Sequence, residues 1–461
     1  MEVRNTTILD HIGVTEHQAE PSIGVPIAEL ISSLTFLQGS ILFLCLFWGY
    51  SSLQVHRRTK EWGDQWAMNT MWSHSDMPIK AISENRHGKQ AEYLDAMRRE
   101  FEYAMEVEMP KADDWTEVDI QKIVQMILVR IVGKMIVGNP ACRSPEWIDL
   151  AQHFTEDFVT ASIIMRLLPK WMHPLVTNLI PQRWRLRKRL SGARKITDPC
   201  VTRHEEAKKQ RAQGIKVEEE ANMLAWMLDN GPDKKYVLEN LPTLVLVILV
   251  PAAHTTAMAI SNLLFHLCEH PEYEEGLRAE ILDVNSTLGP IGEQTPVKDW
   301  VAKLELLDSF FNESQRLSQP LSITPNRYAV EDFTFKDGLH IPKGALLGWV
   351  SIHNQVDPAI APNPDRFDPM RSYRKRQVSA EEASKHLAGQ PSLENLSFGY
   401  GSQACPGRNF AVSMLKMVVS RLLRDFEFKF DEHQTKPSNI HILEFIIPDP
   451  GAKLMMRRKM I

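Results

Sequence analysis

The sequence predicts a mainly α-helical protein with small β-sheets in its C-terminal half, preceded by one transmembrane helix. Three observations lead to this prediction. Apolar residues recur at three- and four-residue spacing through much of the chain beyond residue 91, which is the period of an amphipathic helix. Before these helical segments, the stretch from Leu30 to Tyr50 contains no formally charged residue. In the C-terminal half, short strand-like runs flanked by turn residues begin at Phe333.

The uncharged stretch has the length of a membrane span. At ~1.5 Å per residue, a helix over residues 30–50 reaches roughly 30 Å, the thickness of a bilayer core. Basic residues follow it at 56–60 and acidic residues predominate before it, which keeps the following domain in the cytosol. A cleaved signal peptide is the alternative, but its apolar core would be shorter and would follow basic residues. We predict a lumenal tail (1–29), a transmembrane anchor (30–50), a linker or divergent segment (51–90) and a cytosolic domain (91–461).

Composition narrows the possible classes of function. The chain of 461 residues has 53 Lys and Arg against 58 Asp and Glu, whereas a nucleic-acid-binding protein is usually strongly basic. Nucleic acid is therefore not an expected partner. Five cysteines without a Cys-x-x-Cys pair favour reduced thiols in the cytosol over a disulfide framework or a cysteine-rich zinc module.

Helical periodicity is strongest in four segments. Their predicted bounds are Tyr93–Glu108, Ile120–Val137, Trp147–Leu167 and Tyr236–Glu269. Between the third and the fourth, Pro169, Pro174 and Pro181 predict a loop-rich passage. The basic cluster Arg183–Arg189 alternates with apolar residues, which is typical of a solvated helix face.

The fourth helix is apolar on all sides. It carries no Asp, Glu, Lys or Arg between Leu241 and Cys268, so a second membrane span is the alternative interpretation. Polar groups such as His254 and Thr255 lie in its middle, and because they are costly inside a membrane we predict a buried core helix instead. Pro251 has no N–H and leaves the carbonyl of Val247 without its helical partner, which predicts a kink.

Short strands are predicted towards the C-terminus. The turn sequences Asp337-Gly338 and Pro342-Lys343-Gly344 enclose the β run Leu339–Ile341. A second run follows at Ala345–Val350, and the segment Glu427–Arg457 also has the pattern of short strands.

Cys405 lies in a glycine-rich segment, Phe398–Arg408, directly before an amphipathic helix with Pro406 expected at its first position. At a helix N-terminus the dipole and the free N–H groups favour a thiolate, which is a good ligand for haem iron. A buried structural cysteine and a nucleophilic cysteine are alternatives. Gly399-x-Gly401-x-x-Ala404 also fits a dinucleotide-binding pattern, but that motif requires a preceding strand and a βαβ unit, which the sequence does not predict.

Two further pairs of residues suggest a buried ion pair and a zinc site. Glu313 and Arg316 are three residues apart on an apolar helix, so they can form a buried ion pair, for which Arg366 is a candidate additional partner. His266 and His270 are four residues apart and can share a zinc ion. No third zinc ligand is evident, and a polar helix end is the alternative.

These segments together resemble the cytochrome P-450 family. The Cys405 segment, Glu313-x-x-Arg316, Pro364-Asp365-Arg366-Phe367 and the helix containing Ala252–Thr256 occur in the order typical of that family. The resemblance covers the chain from about Tyr93 onwards. It is greatest with fungal, membrane-anchored members that act in secondary-metabolite and terpenoid pathways.

The resemblance implies a role for each matching residue. Cys405 would be the axial thiolate of haem b, and Thr255 and His254 would be catalytic, delivering protons to bound dioxygen. Glu313, Arg316 and Arg366 would form a structural triad. The remaining haem-binding positions would be Phe398, Gly401, Gly407, Arg408 and Arg327, the last reaching a propionate.

The implied activity is that of a monooxygenase of the endoplasmic reticulum membrane, with its catalytic domain in the cytosol. It would oxidise an apolar small molecule, with O2 and with electrons from NADPH-cytochrome P-450 reductase. The substrate class implied is a terpenoid or related secondary metabolite. Substrate would contact the long helix at Val247–Ala252 and the segment Ser322–Thr324.

The sequence also departs from the family pattern. Gln403 stands where the family usually has Arg or His, so a charged contact to a propionate is absent. The N-terminal part is short, and residues 51–110 contain no Trp-x-x-x-Arg. The alternatives are a degenerate member that acts as a membrane-tethered binding protein, and a hydrolase with Cys405 as its nucleophile.

Overall fold

Helices make up most of the structure, as the 3.6-residue periodicity predicts. The computed structural model describes residues 77–84, 90–217 and 221–459. The predicted tail, the anchor and most of the segment 51–90 lie outside these residues. The described helices are α1 (Met77–Glu84), α2 (Gln90–Glu108), α3 (Ile120–Ile136), α4 (Pro145–Leu167), α5 (His173–Leu179), α6 (Pro181–Ala212), α7 (Met223–Asn230), α8 (Lys234–Glu269), α9 (Glu274–Leu288), α10 (Val297–Ala302), α11 (Glu305–Leu317), α12 (Ser351–Gln355), α13 (Arg371–Arg376), α14 (Ala380–Lys385) and α15 (Arg408–Asp425).

Local side-chain caps explain where several helices begin. The Asp119 carboxylate accepts a hydrogen bond from the N–H of Lys122 at 3.1 Å, so α3 starts at the next residue, Ile120. Ser144 caps α4 in the same way through the N–H of Trp147. The helices α2, α3, α4 and α8 therefore match their sequence predictions closely.

Two stretches differ from prediction. Helix α1 lies inside the segment expected to be a linker or divergent, and it buries Met77 and Ala81 against α7 and α8. The passage expected to be loop-rich is also helical, because Pro181 occupies the first turn of α6, where a missing N–H costs nothing. The basic cluster Arg183–Arg189 lies on α6, as expected of a helix face.

The long helix α8 lies in the core. It packs against α3, α11 and α15. Leu249, Ile260, Leu263 and Leu264 are fully buried. Among the described residues only α8 is long and apolar enough to cross a membrane, and more than half of its most apolar window is covered by the rest of the protein. The structure thus favours the core helix over the second membrane span, and α8 continues without a break through Pro242 and Pro251.

The strands form one three-stranded sheet and three two-stranded sheets within the described residues. They are β1 (Thr116–Val118), β2 (Asn326–Tyr328), β3 (Phe333–Thr334), β4 (His340–Ile341), β5 (Leu346–Gly348), β6 (Phe426–Lys429), β7 (Ile440–Ile442), β8 (Phe445–Ile447) and β9 (Leu454–Arg458). The larger sheet has the order β1-β9-β6, with Val118 opposite Leu454. The other pairs are β2 with β5, β3 with β4 and β7 with β8, all antiparallel.

Candidate active site

The segment before α15 forms a tight loop around Cys405. The N–H of Cys405 donates to the carbonyl of Phe398 at 2.8 Å, and the N–H of Ala404 donates to the carbonyl of Gly401 at 3.1 Å. Gly399 and Gly401 have φ angles of 74° and 72°, which side chains with a Cβ rarely adopt. A Cβ at Gly401 would meet no atom within 4 Å, so this face of the loop is open. Both glycines are therefore needed for conformation, and the open face has room for a flat ligand.

Helix α15 begins two residues later than predicted. Gly407 is its N-cap and Arg408 its first residue, so Pro406 lies in the preceding turn. The first helical hydrogen bond runs from the N–H of Ala411 to the carbonyl of Gly407 at 2.9 Å. The Nη1 of Arg408 donates to the carbonyl of Cys405 at 2.9 Å, which fixes the end of the loop. Cys405 thus precedes the helix, and the early N–H groups of α15 are directed towards its sulfur.

The protonation of Cys405 is set by two opposing influences. Burial is the larger and raises the pKa of the thiol above its usual value. Hydrogen bonds from the N–H groups of Gly407 and Arg408, with the charge of Arg408, act in the opposite direction. The helix terminus alone therefore does not make Cys405 a thiolate, contrary to the simple dipole expectation. A metal ion bound to the sulfur would make Cys405 a thiolate, because coordination removes the thiol proton.

Helix α8 opens to the exterior on one side. Pro251 and Thr255 are one turn apart and exposed, although the helix around them is buried. The Oγ1 of Thr255 donates to the carbonyl of Pro251 at 2.6 Å, and that of Thr256 donates to the carbonyl of Ala252 at 2.9 Å. Val247, at the start of the predicted substrate-contacting stretch, is buried. The side of α8 that carries Pro251 and Thr255 is therefore accessible, whereas its other sides are packed.

His254 points in another direction, towards α3. Its Nε2 lies 2.9 Å from the Nε2 of Gln125. Burial lowers the pKa of His254 to about 4, so the imidazole is neutral at physiological pH. Gln125 is a functional candidate that the sequence analysis missed. Its only signal was a polar side chain between Val124 and Met126 in an apolar helix.

Arg327 joins the strand β2 to the Cys405 loop. Its Nη2 donates to the carbonyl of Tyr400 at 2.9 Å, and its Nη1 donates to the carbonyl of Asn326 at 2.8 Å. Gln403, in the same loop, is exposed. The structure thus brings Arg327, Phe398, Gly401, Gly407 and Arg408 to one loop around Cys405.

Glu313 and Arg316 form the predicted buried pair. The Nε and Nη2 of Arg316 donate to the two carboxylate oxygens of Glu313 at 2.9 and 2.8 Å, and both side chains are buried. The N–H of Asp368 donates to Glu313 at 2.9 Å. The Nη1 of Arg316 donates to the carbonyl of Gln355 at 3.1 Å. These additional hydrogen bonds satisfy the polar groups of the pair, as a buried ion pair requires.

The additional cation of this network is Arg371, and the prediction of Arg366 was wrong. The Nε of Arg371 donates to Glu313 at 3.3 Å, whereas Arg366 is exposed and contributes its carbonyl oxygen, which accepts from Arg316 at 3.3 Å. The sequence contains Pro-x-Arg twice, at Pro364–Arg366 and at Pro369–Arg371. Both fit by pattern, and only the path of the chain distinguishes them.

The two histidines considered for zinc are separated by an aromatic ring. His266 and His270 each stack on Phe367, with ring centroids 5.1 and 4.6 Å apart and interplanar angles of 16° and 6°. No group of three potential metal ligands exists among the described residues. The spacing of these histidines therefore reflects an aromatic stack at the end of α8.

Comparisons with known proteins identify the family of the chain. The family model for cytochrome P-450 matches residues 69–456. The cytochrome P-450 monooxygenase sdnB of Sordaria araneosa is 62% identical over 100% of this chain and 99% of its own length. That alignment runs over 541 positions, more than the 461 residues of this chain, so sdnB has residues without a counterpart here.

More distant relatives extend the comparison. The cytochrome P-450 monooxygenase ATR4 of Stachybotrys chlorohalonatus is 39% identical over 83% of this chain and 72% of its own. The ent-kaurene oxidase of Fusarium fujikuroi is 30% identical over 87% of this chain and 74% of its own length. The structure of cyanobacterial CYP120A1 with bound retinoic acid matches the fold with a TM-score of 0.59 at 18% identity, over 83% of this chain and 78% of that one.

The chain belongs to the cytochrome P-450 family. It is therefore a haem-thiolate monooxygenase, and haem iron is its cofactor. The residues fit this cofactor, because the Cys405 sulfur faces N–H donors, the loop is open beside Gly401 and α8 is open beside Thr255.

Proposed function

We propose that this enzyme oxidises an apolar terpenoid or related secondary metabolite, with electrons from NADPH-cytochrome P-450 reductase. The observation that carries the proposal is the half-buried thiol of Cys405, directed by its loop towards the N–H groups of Gly407 and Arg408. Haem bound there supplies the reductive activation of dioxygen at its iron. The surrounding residues hold the cofactor, exclude water and position the substrate.

Each site residue has a proposed role. Cys405 would hold the haem iron through its sulfur, whose basicity the hydrogen bonds from the two N–H groups limit. Arg327 is the only predicted cation for a propionate, because Gln403 is neutral. Thr255 would hold a water molecule on the haem side through the lone pairs of Oγ1, because its hydroxyl hydrogen bonds the carbonyl of Pro251. The Glu313–Arg316–Arg371 network is structural and reaches the start of the Cys405 loop through Gln355, whose Nε2 donates to the Oγ of Ser397 at 3.0 Å.

The substrate class is inferred from relatives and from the lining of the site. Ent-kaurene oxidase is named for ent-kaurene, and this chain is 30% identical to it. Between Val250 and Thr255, all residues of α8 except the buried Ala253 are at least partly accessible, and their surface is mainly aliphatic. The N–H of Ser322 donates to the carbonyl of Glu444 at 2.8 Å, which fixes the predicted substrate-contacting segment 322–324 against the β7–β8 hairpin.

We also propose single-pass attachment to the endoplasmic reticulum membrane, with the domain in the cytosol. The predicted anchor at 30–50 is the first support. The second is a set of exposed apolar side chains around α5, here called the apolar corner: Leu167, Trp171, Leu175, Leu179 and Trp184. Basic residues outnumber acidic ones on α6 beside it, which suits anionic lipid headgroups.

The test is a reduced carbon monoxide difference spectrum of membranes that contain the full chain. The wild type and Cys200→Ala, which removes a buried cysteine of α6, should show the thiolate-type Soret band. Cys405→Ala should lose it, because alanine offers no ligand. Purified enzyme with the reductase should then convert a terpenoid panel to products carrying one atom from 18O2.

Two outcomes would overturn the proposal. Folded wild-type protein without any haem would favour the membrane-tethered binding protein. A normal band with no oxygen incorporated from any terpenoid, but incorporated into another apolar class, would refute the substrate assignment alone.

A further inference from the structure

The strands β2, β3, β4 and β5 follow one another along a single hairpin. β2 pairs with β5 so that Tyr328 lies opposite Leu346. Beyond this ladder the Asp332 carboxylate accepts a hydrogen bond from the N–H of Lys343 at 2.8 Å, which joins the base of the β3–β4 pair to the end of the β2–β5 pair. The hairpin therefore forms one continuous surface over residues 326–348.

The outer face of this hairpin is apolar. Side chains alternate between the two faces of a strand. Arg327 and Leu347 are half-buried on the face turned towards the protein, whereas Tyr328 and Leu346 are exposed by 63% and 61% on the other. Every residue from 331 to 340 is exposed as well. A solvated sheet face normally carries polar residues, so an exposed apolar pair at its centre indicates a partner.

Aromatic side chains are concentrated on this surface. Its eight large apolar members, here called the hairpin patch, are Tyr328, Val330, Phe333, Phe335, Leu339, Leu346, Trp349 and Val350. The rings of Phe333 and Phe335 meet edge to face, with centroids 4.9 Å apart. Of the seven exposed aromatic side chains among the described residues, four belong to the hairpin patch. Aromatic residues are enriched in protein interfaces.

The area of the hairpin patch is that of one side of a stable dimer. Its side chains are about half to three-quarters exposed, so at roughly 100 Å² each the eight residues offer on the order of 800 Å². The largest apolar patch of a typical monomer is only about 300–600 Å². A standard interface takes about 800 Å² from each partner.

The charges around the hairpin patch favour a protein over a lipid surface. The exposed charged residues between β2 and β5 are Glu331, Asp332, Lys336, Asp337 and Lys343. Three are acidic and two are basic, whereas anionic lipids attract clusters of basic residues such as those on α6. A rim with both signs suits a second copy of the same surface, because acidic residues of one copy can then face basic residues of the other.

We propose that two copies of this chain associate through their hairpin patches, packed face to face about a twofold axis. The same surface then serves both copies, so no second binding surface is needed. The predicted anchor would hold the copies in one membrane, which raises their effective concentration. The association does not depend on the substrate or the reaction proposed above.

The first experiment measures the oligomeric state of the full chain in detergent by sedimentation. Wild type should be a dimer at micromolar concentration. Leu346→Glu and Leu346→Lys should each weaken the dimer by roughly tenfold or more, because a charge is then buried at the centre of the interface. All variants should keep the carbon monoxide band, which reports that the domain is folded.

The matched control is Val378→Glu. Val378 is exposed by 76% and lies outside the hairpin, so this variant should remain a dimer. All these proteins carry the same predicted anchor, and a dimer formed by the anchor alone would persist in every variant. Such persistence, or a monomeric wild type, would overturn the proposal.

The second experiment mixes the two charged variants, each with its own affinity tag. A twofold interface contains residue 346 of both copies, so Leu346→Glu and Leu346→Lys should recover a mixed dimer that either tag retrieves. Val378→Glu mixed with Leu346→Lys should not form one. Loss of the dimer in both variants without recovery in the mixture would mean that the substitutions act on the fold, which would overturn the proposal.

A spin label at Val330→Cys distinguishes the other possible occupants. In the proposed dimer the label should be shielded from O2 and from a water-soluble nickel chelate, and dilution to the monomer should restore its collisions with the chelate. Collisions mainly with O2 would place the hairpin patch in the membrane. Shielding that persists in a monomer would mean that another part of the same chain covers the patch. Either result would overturn the dimer.

Discussion

Arg366 and Arg371 stand five residues apart, yet only Arg371 places its side chain on Glu313. Arg371→Ala should therefore destabilise the folded enzyme by about 1.5–3 kcal/mol, the usual contribution of a hydrogen bond to a charged group. It should also lower the amount of haem per protein, because the network supports the region behind the Cys405 loop.

Arg366→Ala is the matched control. Its exposed guanidinium is removed and its carbonyl, which accepts from Arg316, is kept, so the change in stability should stay within about 0.5 kcal/mol. Urea unfolding and the carbon monoxide band measure both effects. A larger loss for Arg366→Ala than for Arg371→Ala would contradict the geometry.

His266 should make stability depend on pH. Burial lowers its pKa to about 3, and its Nδ1 lies 2.9 Å from the Oγ of Ser314. The unfolded chain, with an ordinary pKa near 6.5, then binds the proton more readily than the folded chain. Stability is therefore full above about pH 6.5 and falls as pH is lowered towards 3.

The comparison is with His266→Asn, which keeps a polar partner for Ser314 and does not titrate. Between pH 7.5 and pH 5, the wild type should lose about 2 kcal/mol more than the variant. Unfolding in urea followed by tryptophan fluorescence gives the two differences. An equal loss in both proteins would show that His266 is not the titrating group.

At the level of single residues, sequence reasoning succeeded where a residue has one plausible partner nearby. Glu313 and Arg316 are linked by helical spacing, and the structure shows their predicted pair. It failed for Arg371 and Gln125, because their partners come from other elements. The contacts of Glu313 with Arg371 and of Gln125 with His254 join residues that are far apart in the sequence. They depend on how the elements pack in the fold, which no local sequence pattern encodes.

The crossing of α3 and α4 is set by a glycine. A Cβ at Gly133 would lie 2.3 Å from the Nε1 of Trp147, whose ring is fully buried and donates to the carbonyl of Val129. Gly133→Ala should destabilise the enzyme by about 1–3 kcal/mol through overpacking, despite the better helix propensity of alanine.

Gly192, inside α6, provides the opposite case. A Cβ there meets nothing within 4 Å, so Gly192→Ala should stabilise the protein by about 0.5–1 kcal/mol. Thermal unfolding of both variants gives the sign for each site. Stabilisation by Gly133→Ala would mean that the two helices are not in contact at this position.

At the level of elements, periodicity predicted the helices because their apolar faces are buried on one side. It also predicted the strands β4 and β5 from the turns that bound them. It missed α5 and the start of α6, because prolines were interpreted as breaks although Pro181 occupies a first helical turn. Helix α1 was missed because its apolar face is too short to show a period.

On the scale of the whole molecule, the apolar corner predicts how the domain meets the bilayer. Trp171 and Leu179 are exposed by 66% and 70%. Spin-labelled Trp171→Cys in the membrane-bound full chain should collide more often with O2 than with a water-soluble nickel chelate. Val378→Cys, exposed by 76% but outside the corner, should show the reverse. Equal accessibility at both sites would mean that the corner remains in water.

The order of the three-stranded sheet has a consequence for biosynthesis. Strand β9 lies between β1 and β6, so neither outer strand has its hydrogen-bonding partner until the ribosome has passed residue 458. The predicted anchor is translated long before that point. The nascent chain would thus be tethered to the membrane while its domain is still unfinished, with β1 exposed to chaperones during most of translation.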